Sequence, residues 1–103
     1  MTVAELPIKI DQEKIAEFCR AKGIRKLSLF GSVLRDDFDP DRSDVDVLVE
    51  FFPNRIPGWE FFRFAEELAP IIGRSVDLNT PSMLSQYFRD EVLSEAVPVY
   101  EQT

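Results

Sequence analysis

Two stretches decide the fold: Leu29-Phe30-Gly31-Ser32 and, beyond an acidic run, Asp44-Val45-Asp46-Val47-Leu48-Val49-Glu50-Phe51. Ile24 to Phe30 is rich in branched and aromatic residues and stops at Gly31-Ser32, which reads as a strand ending in a tight turn. A short helical turn fits Val33 to Arg35. Asp36 to Ser43 carries four aspartates, Pro40 and no aliphatic residue, the composition of a surface loop. From Asp44 to Phe51 the pattern alternates, with Val45, Val47 and Val49 on one side and Asp44, Asp46, Leu48 and Glu50 on the other, as in a strand with one buried face.

Toward the N-terminus, Asp11 suits an N-cap, Ile15, Phe18 and Cys19 recur at helical spacing, and Gly23 suits a helix end, so a helix is expected over 12–22. Toward the C-terminus, Pro53, Pro57 and Gly58 break the chain. Over 59–72, Phe61, Phe64, Ala65, Leu68, Ala69, Ile71 and Ile72 share a broad face opposite Arg63, Glu66 and Glu67, the pattern of a helix that Pro70 loosens near its end. Arg74 to Leu78 is a short strand candidate after Gly73. Thr80-Pro81 opens a further, interrupted helix reaching Ala96, and Val97 to Tyr100 is an edge strand, where Pro98 is tolerated. The expected class is α/β (α+β), a small mixed sheet with helices packed on it, forming one domain over residues 1–103.

Composition narrows the chemistry. With 45% apolar and 30% charged residues the chain is expected to fold, and at 103 residues it supports one modest core. No apolar run approaches the roughly 20 residues of a membrane span, and the first ten residues lack the pattern of an export signal, so the expected location is the cytoplasm. One cysteine, Cys19, excludes an internal disulfide, and the absence of histidine excludes imidazole catalysis and His-metal sites. The net charge of −7 opposes attraction to a phosphate backbone, so direct nucleic-acid binding is not expected.

Asp44 and Asp46 are the most informative residues. Spaced by two on a strand, both carboxylates point to one face with Cα atoms roughly 6.5–7 Å apart. Like charges so placed raise each other's energy and call for a compensating cation, and magnesium prefers oxygen ligands. Alone, such a pair is often just a solvent-facing strand start. Gly31-Ser32 changes its meaning, because a glycine lets backbone N–H groups approach phosphate oxygens and a serine adds a hydroxyl donor. If the two strands are neighbours, phosphate donors and carboxylates share one end of the sheet.

Leu29-Phe30-Gly31-Ser32-Val33-Leu34-Arg35 followed by Ser43-Asp44-Val45-Asp46-Val47-Leu48-Val49 resembles the minimal nucleotidyltransferase family, within the DNA polymerase β-like nucleotidyltransferase superfamily. Its signature is G-S, a spacer, D-x-D, and a third carboxylate on a later strand. The spacer here, Val33 to Ser43, is one residue longer than usual. The resemblance implies that Asp44, Asp46 and Asp77 are catalytic and hold magnesium, as two ions, and that Gly31 and Ser32 cradle the phosphates of ATP. It further implies transfer of AMP to a hydroxyl, a tyrosine or similar group, of a HEPN-family toxin, which makes the chain an antitoxin. Read from the residues alone, Asp77 fits a strand-end aspartate capping the turn before Pro81 equally well. Arg35 suits either a phosphate clamp or a surface pairing with Asp36, Asp37 or Asp39, and Arg74 shares that ambiguity.

Other readings compete. Asp39, Asp41, Ser43 and Glu50 fall at calcium-loop positions, but Asp44 stands where the motif needs glycine and a strand pattern follows where it needs a helix. An antitoxin acting by occlusion alone would not need three separated aspartates. Transfer to a small-molecule hydroxyl would need an acceptor pocket that this chain has no second domain to build. Which triphosphate, which acceptor and what oligomeric state stay open. Nine Phe, one Trp and two Tyr exceed the obvious needs of the core; Trp59 lies on the polar side of its helix, and one of Phe51 and Phe52 is expected to be exposed, which suggests a docking surface for a protein.

Overall fold

In the computed structural model the described residues are 6, 8–34, 39 and 44–102. Arg35 and, apart from Asp39, the acidic loop expected over 36–43 lie outside them. The first helix, α1 (Gln12–Lys22), begins where Asp11, in extended backbone, accepts a hydrogen bond from the Lys14 N–H at 3.1 Å. It ends at Gly23, whose φ of 73° lets its N–H return to the Cys19 carbonyl.

Four strands follow: β1 (Ile24–Phe30), β2 (Val45–Phe51), β3 (Val76–Asn79) and β4 (Val97–Glu101). They lie in the order β3-β2-β1-β4. β1 pairs antiparallel with both β2 and β4, whereas β2 and β3 run parallel, so the sheet is mixed, as expected. Pro98 sits on the edge strand β4, where its missing N–H costs no ladder bond on the open side.

One face of the sheet forms the core. Leu27 and Leu29 stand opposite Val49 and Val47, and together with Val45, Leu78 and Val97 they pack against Ile15, Phe18 and Cys19 of α1 and Phe64, Leu68 and Ile72 of α2 (Phe61–Ile72). Each such side chain removed from water contributes about 1.5–3 kcal/mol. α2 starts two residues later than the pattern suggested, because Trp59 and Glu60 form a turn after Gly58. Pro70 does not end it: Pro70 and Glu66 are both exposed, so the carbonyl left without an N–H partner faces water, and Gly73 (φ 81°) closes the helix three residues later.

The return from β3 at one edge to β4 at the other is broken up. Thr80-Pro81 opens only a 3-10 turn, Pro81–Met83, and a seven-residue helix, α3 (Arg89–Glu95), follows. Leu84 in extended backbone (ψ 143°) is the interruption. Arg89 bridges it, donating from Nε to the Pro81 carbonyl (2.8 Å) and from Nη2 to the Leu84 carbonyl (3.0 Å). Among the described residues no helix is long and apolar enough to cross a membrane.

Candidate active site

The face of the sheet away from α1 and α2 carries the acidic residues, because the same alternation that buries Val45, Val47 and Val49 turns Asp46 and Leu48 the other way. The parallel register sets Asp46 directly beside Asp77. The antiparallel register sets Asp46 opposite Phe30, the last residue before Gly31. The two expected neighbours, the glycine-serine bend and the acidic strand start, thus meet at one end of the sheet, and Asp77 joins them from the third strand.

Contact within this group is close. The Asp46 carboxyl lies near enough to the Ser32 backbone N–H and to the Asp77 carboxyl for both to act on its ionisation. The Ser32 hydroxyl reaches the Asp44 carbonyl at 3.5 Å, tying the bend to the strand start. Gly31 has a φ of 75° and begins a 3-10 turn, Gly31–Leu34; a Cβ there would run into the Asp46 carboxylate. Glycine is therefore required twice, for the backbone and for the space. Asp44 and Asp77 are exposed and Asp46 is half-buried. Burial first, then the charge of Asp77, pushes the Asp46 carboxyl above the ordinary carboxylate range; the Ser32 N–H opposes this and the Asp44 charge adds to it.

Such a donor set fits a hard dication. Every ligand atom offered is a carboxylate oxygen, and the like charges that raise the Asp46 pKa are those a dication would neutralise. Among the described residues no group of three or more His, Cys, Asp or Glu stands close enough together to hold a metal ion by itself. Two adjacent carboxylates with a third nearby form an open set, of the kind magnesium completes with phosphate oxygens and water.

Beside Asp46 lies a cleft of about 490 Å³ whose far wall is built by the return segment, with Leu84, Phe88, Glu91, Val92 and Glu95 facing Phe30 and Gly31. Sequence reasoning did not assign these residues. A signal was present: positions 88, 91, 92 and 95 share one helical face, but a face of mixed acidic and apolar character reads as neither core nor solvent stripe. Elsewhere, Trp59 is 88% exposed and its ring lies 6.1 Å from that of Phe62, itself 67% exposed. Phe51 and Phe52, one of which was expected to be exposed, are both half-buried; Phe51 packs on Phe61 and Phe64 with centroids 6.2 and 6.1 Å away.

A four-stranded mixed sheet with two helices, α1 and α2, packed on one face and an acid-bearing strand start beside a Gly-Ser bend defines the class of nucleotidyltransferase folds. Residues 12–99 match the model of the nucleotidyltransferase domain. A Methanocaldococcus jannaschii protein named as a candidate protein adenylyltransferase is 32% identical over 88 residues, covering 85% of this chain and 92% of that one. A solved structure of a candidate minimal nucleotidyltransferase superposes with a TM-score of 0.68 at 31% identity, over 84% of this chain and 87% of the other. A chain from the complex of tri-AMPylated Shewanella oneidensis HEPN toxin with MNT antitoxin shares the fold, with a TM-score of 0.62 at 20% identity over 88% of this chain and 70% of that one. The chain belongs to the nucleotidyltransferase domain family, among the minimal nucleotidyltransferases.

Proposed function

We propose that this protein transfers AMP from ATP to a hydroxyl, a tyrosine in the first instance, of a HEPN-family toxin and so acts as its antitoxin. The observation that carries the reading is the side-by-side placement of Asp46 and Asp77 on parallel strands, against the Gly31-Ser32 bend. The M. jannaschii relative's name and the AMPylated toxin in the S. oneidensis complex support the same chemistry.

In this reading Asp44, Asp46 and Asp77 hold magnesium, which when bound neutralises charge on the triphosphate and its departing pyrophosphate. The chain's own groups do the rest. The bend at Gly31 and Ser32 binds phosphate oxygens through backbone N–H groups and the Ser32 hydroxyl. Asp77, exposed at the open side of the group, accepts the proton of the attacking hydroxyl as its oxygen bonds to the α-phosphorus and the bond to pyrophosphate breaks. Asp46, half-buried beside the Ser32 N–H, orients the set. Arg35, which lies outside the described residues, is a candidate phosphate clamp in this reading.

The test is incubation with α-labelled ATP, magnesium and the protein encoded beside this chain, followed by mass mapping. Addition of 329 Da, the mass of one adenylyl group (roughly, from composition) on a hydroxyl residue of the partner is expected. Asp44→Asn and Asp46→Asn should each lower the rate by at least about a hundredfold. Transfer at the parental rate by both variants would refute the site.

A further inference from the structure

Asp46 has different neighbours on its two sides. Because the strand order is β3-β2-β1, Asp77 flanks it from β3, and Phe30 with the Gly31 bend flanks it from β1. The cleft of about 490 Å³ opens on the β1 side: Phe30, Gly31 and Asp46 line it and Asp77 does not. In the adenylyl-transfer reading the bend holds phosphate and the acceptor hydroxyl meets Asp77, so what continues from Gly31 into this cleft belongs to the nucleotide. The walls beyond Gly31 suit its uncharged part. Phe30, Leu84 and Val92 are half-buried apolar surface, and Phe88 is 60% exposed, a ring offered to whatever fills the cleft. A polyphosphate is disfavoured there, since Glu91 and Glu95 line the α3 side and add like charge. Charge thus orders the ligand, with phosphates toward the bend and base toward α3.

We propose that this cleft is the nucleoside subsite and that Phe88 makes it a purine subsite by presenting its ring to the base. The proposal rests on the adenylyl-transfer reading for the phosphate end and adds which nucleotides the site takes. Aromatic side chains and bases associate through their faces, without reading hydrogen bonds, and the fused rings of a purine cover more apolar wall than the single ring of a pyrimidine. Arg89 is the positioning residue of this wall: its fork to the Pro81 and Leu84 carbonyls ties the start of α3, and with it Phe88, to the segment that carries Leu84.

The full chain with magnesium is titrated calorimetrically with ATP, with CTP and with inorganic tripolyphosphate, which carries the phosphates without a nucleoside; label transfer from ATP to the protein encoded beside this chain is followed separately. ATP should bind roughly tenfold tighter than tripolyphosphate and roughly threefold or more tighter than CTP. Phe88→Ala should weaken ATP roughly tenfold and leave tripolyphosphate as in the parent, and Phe88→Trp should restore ATP. Tyr87→Ala, exposed beside Phe88 but outside the cleft lining, should change neither. Equal affinity for ATP and CTP, or a loss in Phe88→Ala that is the same for ATP and tripolyphosphate, overturns the subsite. ATP bound through Phe88 with no label transferred keeps the subsite and overturns adenylyl transfer to that protein. Label transferred while ATP binding is unmoved by Phe88→Ala overturns the subsite and leaves the transferase reading intact. Absence of binding by both ATP and tripolyphosphate overturns both.

Discussion

A methyl group placed on Gly31 meets two obstacles at once, the left-handed backbone and the Asp46 carboxylate; the same change at Gly73 meets only the first, since nothing lies within 4 Å of a Cβ there. Gly73→Ala should therefore cost about 1–2 kcal/mol in denaturant unfolding with little effect on the proposed AMP transfer. Gly31→Ala should cost more, and should lower transfer by an order of magnitude or beyond because Asp46 has to move. Equal activity in the two variants would show that the carboxylate position is unimportant. Asp46 also makes a pH prediction. Its carboxyl titrates higher in the folded chain than in the unfolded one, so the folded state binds the extra proton and loses stability as pH rises through the ordinary carboxylate range and past the raised folded value. With magnesium chelated, Asp46→Asn should melt at a higher temperature than the parent at pH 8, and the gap should close as the pH falls back toward that range. A parent melting temperature that climbs with pH relative to the variant would contradict the charge crowding.

Among the elements, α1 and α3 behave oppositely. α1 buries Ile15, Phe18 and Cys19 completely or nearly so, and burial pushes the Cys19 thiol up to about 12. Very little thiolate exists at pH 8, and the sulfur is covered, so a disulfide-exchange reagent should titrate Cys19 only after denaturant unfolds the chain. α3 buries no residue and hangs on the Arg89 fork. Removing both hydrogen bonds with Arg89→Ala should speed amide exchange across 81–95 while leaving β1 and β2 protected, with a global loss of about 1–3 kcal/mol. Lysine should not rescue it, because a single ammonium cannot reach two carbonyls with the planar fork of a guanidinium. Uniform exchange in all elements would show that α3 unfolds only with the rest.

Over the whole molecule, the apolar surface divides into a closed core on one face and an open aromatic patch of Trp59 and Phe62, and Phe62 also lines, with Ile56 and Met83, a groove of about 510 Å³. Trp59 contributes almost nothing to the core, so Trp59→Ala should leave the melting temperature within about 1–2 °C of the parent while reducing co-purification with the proposed toxin severalfold. Unchanged co-purification would remove that patch from the interface.

The sequence by itself determined the elements and the pair at the centre of the site. Alternation from Asp44 to Phe51 fixes which side chains face the helices, since a period of two allows no other partition, and it puts Asp44 and Asp46 on the opposite face without reference to anything distant. Gly23 and Gly73 mark helix ends for an equally local reason, the left-handed backbone that glycine adopts most readily. Where the local signals were weaker, the bounds moved: Trp59-Glu60 became a turn, and the helix expected from Thr80 to Ala96 became a 3-10 turn and a short α3. Only the tertiary structure decided that Asp77 stands beside Asp46 and that Glu91 and Glu95 line a cleft with Asp46. Those neighbours come from parallel pairing and from a return segment across the sheet, contacts between residues distant along the chain, and no periodicity within either segment encodes which of the possible pairings the buried core will favour.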